Sequence, residues 1–174
     1  LTGAMLPRGC LQCRQPISLS IEPCSRSWWS VFKHHHYLNS EINFSSEMFL
    51  ATWEGNPVAF SACISMPSGS LKNAWRGHRT VVLPDYQGLG IGVRFSDWMG
   101  ARSVYLGRRY FSKTAHPRMG GYRDSSPLWK PTSKNHNPRK DMCRESSQDY
   151  NGMSKTKRAN KWCFSHEYIG QIDG

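Results

Sequence analysis

The chain has 174 residues, with 23 Lys and Arg against 12 Asp and Glu and a formal net charge of +11. That length suits one domain over 1–174 with a real core, which seven Trp, seven Tyr and seven Phe can fill. No apolar run approaches the roughly 18–20 residues of a membrane span and no signal-peptide pattern opens the chain, so a cytoplasmic protein without a membrane partner is expected.

Residues 14–22, RQPISLSIE, have modest β character. Ser25 can cap a helix whose apolar face uses Trp28, Trp29, Val31 and Phe32. EMFLATWEG (47–55) reads as a strand, Gly55-Asn56-Pro57 as a turn, and VAFSACISM (58–66) as the return strand of a hairpin. NAWRGHRTVVL (73–83) is a third long strand, buried toward its end. VRFSDWMGARSVYLG (93–107) places Phe95, Trp98, Met99 and Val104 at roughly helical spacing and stops at Gly107. RRYFSKTA (108–115) is a strand that ends at His116-Pro117, and KWCFSHEYIG near the end of the chain is another.

Between them, residues 117–161 carry eleven Lys or Arg against four Asp or Glu. Pro, Ser, Asn and Gly are frequent there and periodicity is absent, so the segment reads as a basic insertion before the last strand, partly flexible when unbound. The expected fold is α/β in the α+β sense: a mixed, mostly antiparallel sheet flanked by helices.

Six cysteines stand at 10, 13, 24, 63, 143 and 163. Cys10 and Cys13 with Cys163 and His166 have the residue types of a zinc site. Cys163 and His166 lie three apart on a predicted strand, however, and so point to opposite faces. No metal is expected.

VVLPDYQGLGIG (81–92) is the stretch with most chemical content. A strand ends at Pro84, a helix begins near Gly90, and three glycines alternate between them. The amides at a helix start lack partners, and glycines let an anion approach them. The loop suits a phosphate or pyrophosphate; a plain tight turn is the other reading. It lacks the Gly-Lys-Ser/Thr of a Walker loop and the context of a dinucleotide fold.

Gln87-Gly88-Leu89-Gly90-Ile91-Gly92 resembles the Gln/Arg-x-x-Gly-x-Gly/Ala signature of the GCN5-related N-acetyltransferases, and the flanking strand and helix match as well. The resemblance implies an N-acyltransferase that uses acetyl-CoA or another acyl-CoA. Leu89, Gly90, Ile91 and Gly92 would offer amides to the pyrophosphate, Gln87 and Gly88 would shape the turn, and Val81, Val82 and Leu83 would lie along the pantetheine arm. A narrower resemblance, through Trp28, Trp29, Phe32, His35 to Leu38, Pro57 to Phe60, His78 to Pro84 and Glu167 to Gly170, is to phage Mom-type DNA-modification proteins and acetyltransferase-like domains fused to ABC-type ATPases. It implies transfer to the exocyclic amine of adenine in DNA. A protein lysine or a small amine is the alternative acceptor, and a non-catalytic nucleic-acid-binding module is the second alternative.

The candidate catalytic residues are His36, Tyr37, His78, Tyr122 and Asp124. The strand over 73–83 has no Glu or Asp, where the family often carries a base, so His78 is the candidate base; a structural histidine is the competing reading. His36 and Tyr37 end a predicted helix, where capping is the competing role. Tyr122 stands about where the family carries a thiolate-protonating tyrosine, and Asp124 is a polar neighbour. Arg76, Arg79, Lys155, Lys157, Arg158 and Lys161 are the candidates for nucleic-acid contact, with Tyr122, Trp129 and Tyr150 available to stack on bases. Nucleic acid, DNA foremost, is the expected partner.

Overall fold

The computed structural model describes residues 17–36, 41–138 and 162–170. Its elements are β1 (Ser20–Pro23), α1 (Trp29–Phe32), β2 (Glu47–Trp53), β3 (Asn56–Ser65), β4 (Ala74–Val82), α2 (Ile91–Tyr105), β5 (Arg109–Thr114), α3 (Pro117–Ser125), β6 (Trp129–Pro131), β7 (Asn137–Pro138) and β8 (Trp162–Tyr168). The sheet runs β1-β2-β3-β4-β5-β8-β6, with β7 paired to the start of β8. Every pairing is antiparallel except β4 with β5.

Most predicted strands stand within a few residues of their expected places. The hairpin turn is Glu54-Gly55, with φ of 50° and 78°, and Asn56 and Pro57 already belong to β3. A two-residue loop with both φ positive follows the strand twist, which Gly55-Asn56-Pro57 as a turn would not. The helix expected after Ser25 is broken into 3-10 turns at Arg26–Trp28 and Lys33–His35 around the four-residue α1. Its serines, β-branched valine and aromatics are weak helix formers, so packing sets its geometry.

The stretch from 117 is not irregular throughout. Pro117 opens α3 at a position where its missing N–H costs nothing, and the His116 side chain accepts from the Met119 amide. Strands β6 and β7 follow. Residues 139–161, with the rest of the basic segment, lie outside the described residues.

Two apolar layers sandwich the sheet. On one face Ile91, Phe95 and Met99 of α2 pack with Phe49, Ala51, Cys63, Tyr110, Trp129 and Tyr168. On the other, Trp29 and Phe32 pack with Ile42, Leu50, Phe60, Ala62 and Val81. Among the described residues no helix is long and apolar enough to cross a membrane.

Candidate functional site

Strand β4 carries the central irregularity of the sheet. Ala62 pairs with Arg79, but Cys63 pairs with Gly77, so His78 is an extra residue opposite no partner. This bulge resets the alternation of side chains. Arg79 opposite Ala62 and Arg76 opposite Ile64 therefore share the α1 face, although they are three residues apart.

Beyond the bulge the sheet opens. The β4–β5 ladder consists of Ala74–Arg109, Trp75–Tyr110 and Arg76–Phe111, although β4 continues to Val82 and β5 to Thr114. On its other edge β5 stays paired with β8 from Tyr110 to Thr114, while beyond Arg76 the side of β4 that faces β5 has no strand partner. The two strands form a fork, and its β4 arm presents backbone groups without ladder partners.

The glycine-rich loop lies at the open end of that arm. Gln87 Nε2 donates to the Val82 carbonyl at 3.0 Å and fixes the start of the loop. Gly88 and Gly90 have φ of 83° and 81°, which a side chain would resist, and a Cβ on either would meet nothing within 4 Å. The loop is open above its backbone. Arg94 is the first residue of α2 whose amide reaches a carbonyl, that of Gly90 at 3.1 Å. The preceding amides of Ile91, Gly92 and Val93 stand at the positive end of a 15-residue helix. An anionic phosphate group fits this cradle, and a slim chain with amide groups fits the open arm beside it.

The other predicted residues divide between the two faces. On the α1 face, His36 is 9% exposed and packs edge-on against Trp29 at 5.8 Å. His78 Nε2 receives the Asn43 amide at 3.4 Å, and Arg79 Nη1 lies 3.4 Å from its Nδ1. Burial, then the cations of Arg79 and Arg76, push His78 down to about 4. It is neutral at neutral pH and too weakly basic to suit a general base there. Tyr37, Lys155, Lys157, Arg158 and Lys161 lie outside the described residues.

On the α2 face, Tyr122 donates to Asp97 Oδ2 at 2.6 Å, and Trp129 Nε1 donates to Asp97 Oδ1 at 2.7 Å. Burial, reinforced by Asp97, raises the Tyr122 phenol above its ordinary value. Asp124 gathers Asn135 Nδ2 at 2.9 Å, His136 Nε2 at 3.0 Å and His166 Nε2 at 2.8 Å. Burial pushes its carboxyl up, but the hydrogen bonds from Asn135 and His166 outweigh it and hold the group below the usual range. Asp124 thus ties α3 to β8 and to the segment before β7. His166, read above beside Cys163 as a zinc ligand type, is fully buried at that tie. Burial pushes the Cys63 and Cys24 thiols up to about 12 and about 11, so neither supplies a thiolate for a covalent acyl intermediate.

Two residues that no pattern singled out complete the α2 face of the fork. Tyr110, 2% exposed, reaches toward Gly77, and Arg123, 4% exposed, lies over the Trp129 ring at 4.6 Å.

No family model matches the chain, and no curated protein matches it in sequence. Solved structures match it in shape. The ribosomal-protein-S18-alanine N-acetyltransferase from Escherichia coli aligns over 90% of this chain and 97% of its own, at 12% identity and a TM-score of 0.61. The fold is that of the GCN5-related N-acetyltransferases. A Bacillus subtilis acetyltransferase in complex with CoA aligns over 88% of this chain and 100% of its own, at 10% identity and a TM-score of 0.60. A family member from Elizabethkingia anophelis with acetyl-CoA bound aligns over 86% and 97%, at 11% identity and a TM-score of 0.57. The GNAT fold accounts for the antiparallel sheet with one parallel pair and for the loop at the start of α2.

Proposed function

We propose that this chain is an acyl-CoA-dependent N-acyltransferase. The observation that carries the reading is the fork between β4 and β5, opening beside a loop of unpaired amides at the start of α2. Two of the structural neighbours are described with CoA or acetyl-CoA. Acyl-CoA would supply an activated acyl carbon on a thioester. The amides from Leu89 to Gly92 would hold its pyrophosphate, with Gln87 and Gly88 setting the turn. The free side of β4 from Gly77 through Val81 and Val82, with Leu83 just beyond it, would bind the amide-bearing arm.

The acceptor amine would approach from the α1 face, where Arg76, Arg79 and His78 cluster at the bulge. Two guanidiniums repel a cationic acceptor and attract an anionic one. We therefore favour an amine on a nucleic-acid base, in the manner of Mom-type modification of DNA, over a protein lysine or a polyamine. An aromatic amine on a base is not protonated at neutral pH, which fits a site where His78 is a poor base.

Gly90→Glu tests the first part. A carboxylate in the phosphate cradle should weaken acetyl-CoA binding by at least about a hundredfold in calorimetry, through charge repulsion and a strained φ. Undiminished binding by the folded variant would remove the cofactor reading. Mass spectrometry of nucleosides from cells expressing the protein tests the second. A nucleoside of added mass supports the base; added mass on protein or metabolite instead gives the acceptor to a lysine or small amine.

A further inference from the structure

We propose that Phe44, backed by the Arg26 guanidinium, is a stacking platform for an unpaired nucleobase beside the β4 bulge. The assignment rests on the nucleic-acid half of the reading above and names what would hold the base.

Residues 41–46 lead along the α1 face into β2. Ile42, 1% exposed, packs into the apolar layer of Trp29, Phe32 and Phe60. Ser45 donates its amide to Asn43 Oδ1 at 2.9 Å, and Ser46 donates its own to the Asn43 carbonyl at 3.2 Å. The loop therefore turns tightly after Asn43, with Ile42 and Ser46 buried on either side and Phe44 turned outward, 88% exposed.

A single exposed apolar side chain is ordinary. This one is set apart by how it is held. Arg26 Nη2 donates to the Ile42 carbonyl, and the Asn43 amide reaches His78 Nε2 at 3.4 Å, so the loop is fastened on both sides of the turn. The guanidinium carbon of Arg26 lies 3.7 Å from the Phe44 ring centroid and covers one face of the ring. Its Nη1 is buried without a hydrogen-bond partner among the described residues, so the guanidinium is lodged between the carbonyl and the ring. Phe44 directly follows the residue bound to His78, about 3.8 Å along the chain. The platform thus stands at the bulge, on the face that Arg76 and Arg79 share.

A flat ring backed by a cation and open in front suits a flat π-system. A nucleobase is one, and it arrives with phosphates that Arg26, Arg76 and Arg79 attract. An apolar peptide side chain would cover the ring as well, but it gains nothing from three cations, against which the loop sets one carboxylate, Glu41. Inside a duplex both faces of a base are covered by its neighbours. The occupant is therefore a base that is single-stranded or turned out of its helix.

The test measures binding of the full chain to a single strand of deoxyadenosines, to a strand of the same length made of an abasic deoxyribose analogue, and to a duplex. Phe44→Ala should bind the adenine strand roughly tenfold or more weakly than wild type. It should bind the abasic strand as wild type does, lose less on the duplex, and keep the same salt slope, because no charge is removed. Phe44→Trp should restore the affinity. A ring so exposed adds little to the core, so Phe44→Ala should melt like wild type; if it does not fold, Phe44→Leu, apolar but not flat, takes its place. If wild type binds no DNA, the nucleic-acid acceptor fails and takes the platform with it, while the acyl-CoA reading stands. If wild type binds DNA and the variant binds the adenine strand as tightly, or loses the abasic strand to the same degree, Phe44 holds no base and the nucleic-acid reading stands without it.

Discussion

At the residue scale, His78 shows how a bulge changes what a sequence means. Strict alternation would put Arg76 and Arg79 on opposite faces, whereas the extra residue at 78 brings both cations onto one face around the imidazole. No local signal marks that register shift, because it is set by the pairing of β4 with β3. Tyr110 and Arg123 were equally illegible: one reads as an ordinary strand aromatic, the other as one more cation in a basic stretch. The glycine loop was legible because its spacing and its place between strand and helix carry the chemistry locally. The depressed pKa of His78 also predicts a pH effect. In the unfolded chain the imidazole titrates near 6.5, and in the folded protein near 4, so the folded state binds fewer protons between those values. The stability that depends on a neutral His78 is present above about pH 6.5 and is lost as pH falls toward 4. Melting temperatures at pH 7 and pH 4.5 should therefore differ less in His78→Phe than in wild type; an equal drop would show that protonation of the half-buried His78 is not what costs stability.

At the element scale, α2 was visible in its periodicity, and its buried residues Ile91, Phe95, Met99 and Ser103 recur every four positions. What periodicity cannot show is how closely the helix sits. A Cβ on Gly100 would come within 2.4 Å of the Tyr168 ring. Gly100→Ala should therefore destabilise by about 1–3 kcal/mol through overpacking, even though alanine is the better helix former. A melting temperature at or above wild type would mean that Tyr168 moves aside freely. Helix α3 escaped the sequence reading for related reasons. Its paired glycines, Gly120 and Gly121, weaken helix propensity, and His116-Pro117 looks like a stop. Gly120 is there because α3 lies flush on Phe164, a contact with a strand far along the chain. The rest of its anchorage, from Tyr122 to Asp97 and from Asp124 to His166, joins residues that only the folded sheet brings together.

At the scale of the whole molecule, the order of elements from β1 to β5, with β8 after them, was readable, and the net charge of +11 gives a prediction that geometry alone does not. If DNA is the acceptor, each phosphate neutralised adds about −0.9 to the slope of log K against log salt. Exchanging Lys155, Lys157, Arg158 and Lys161 for Gln should flatten that slope across many sequences and leave acetyl-CoA binding intact. Equal slopes for the two proteins would remove the segment from the interface. The fork in the sheet has a consequence of another kind. A sheet that parts between two of its own strands is an unfinished sheet, and a ligand lying along β4 would complete it, taking the rungs that β5 leaves empty. Amides on the free side of residues 77–82 should then exchange slowly with solvent only while CoA is bound. The melting temperature should climb with CoA concentration, because the ligand binds the folded chain alone. On that reading the missing strand of the sheet is not encoded in the sequence but would be supplied, and given back, at each turnover.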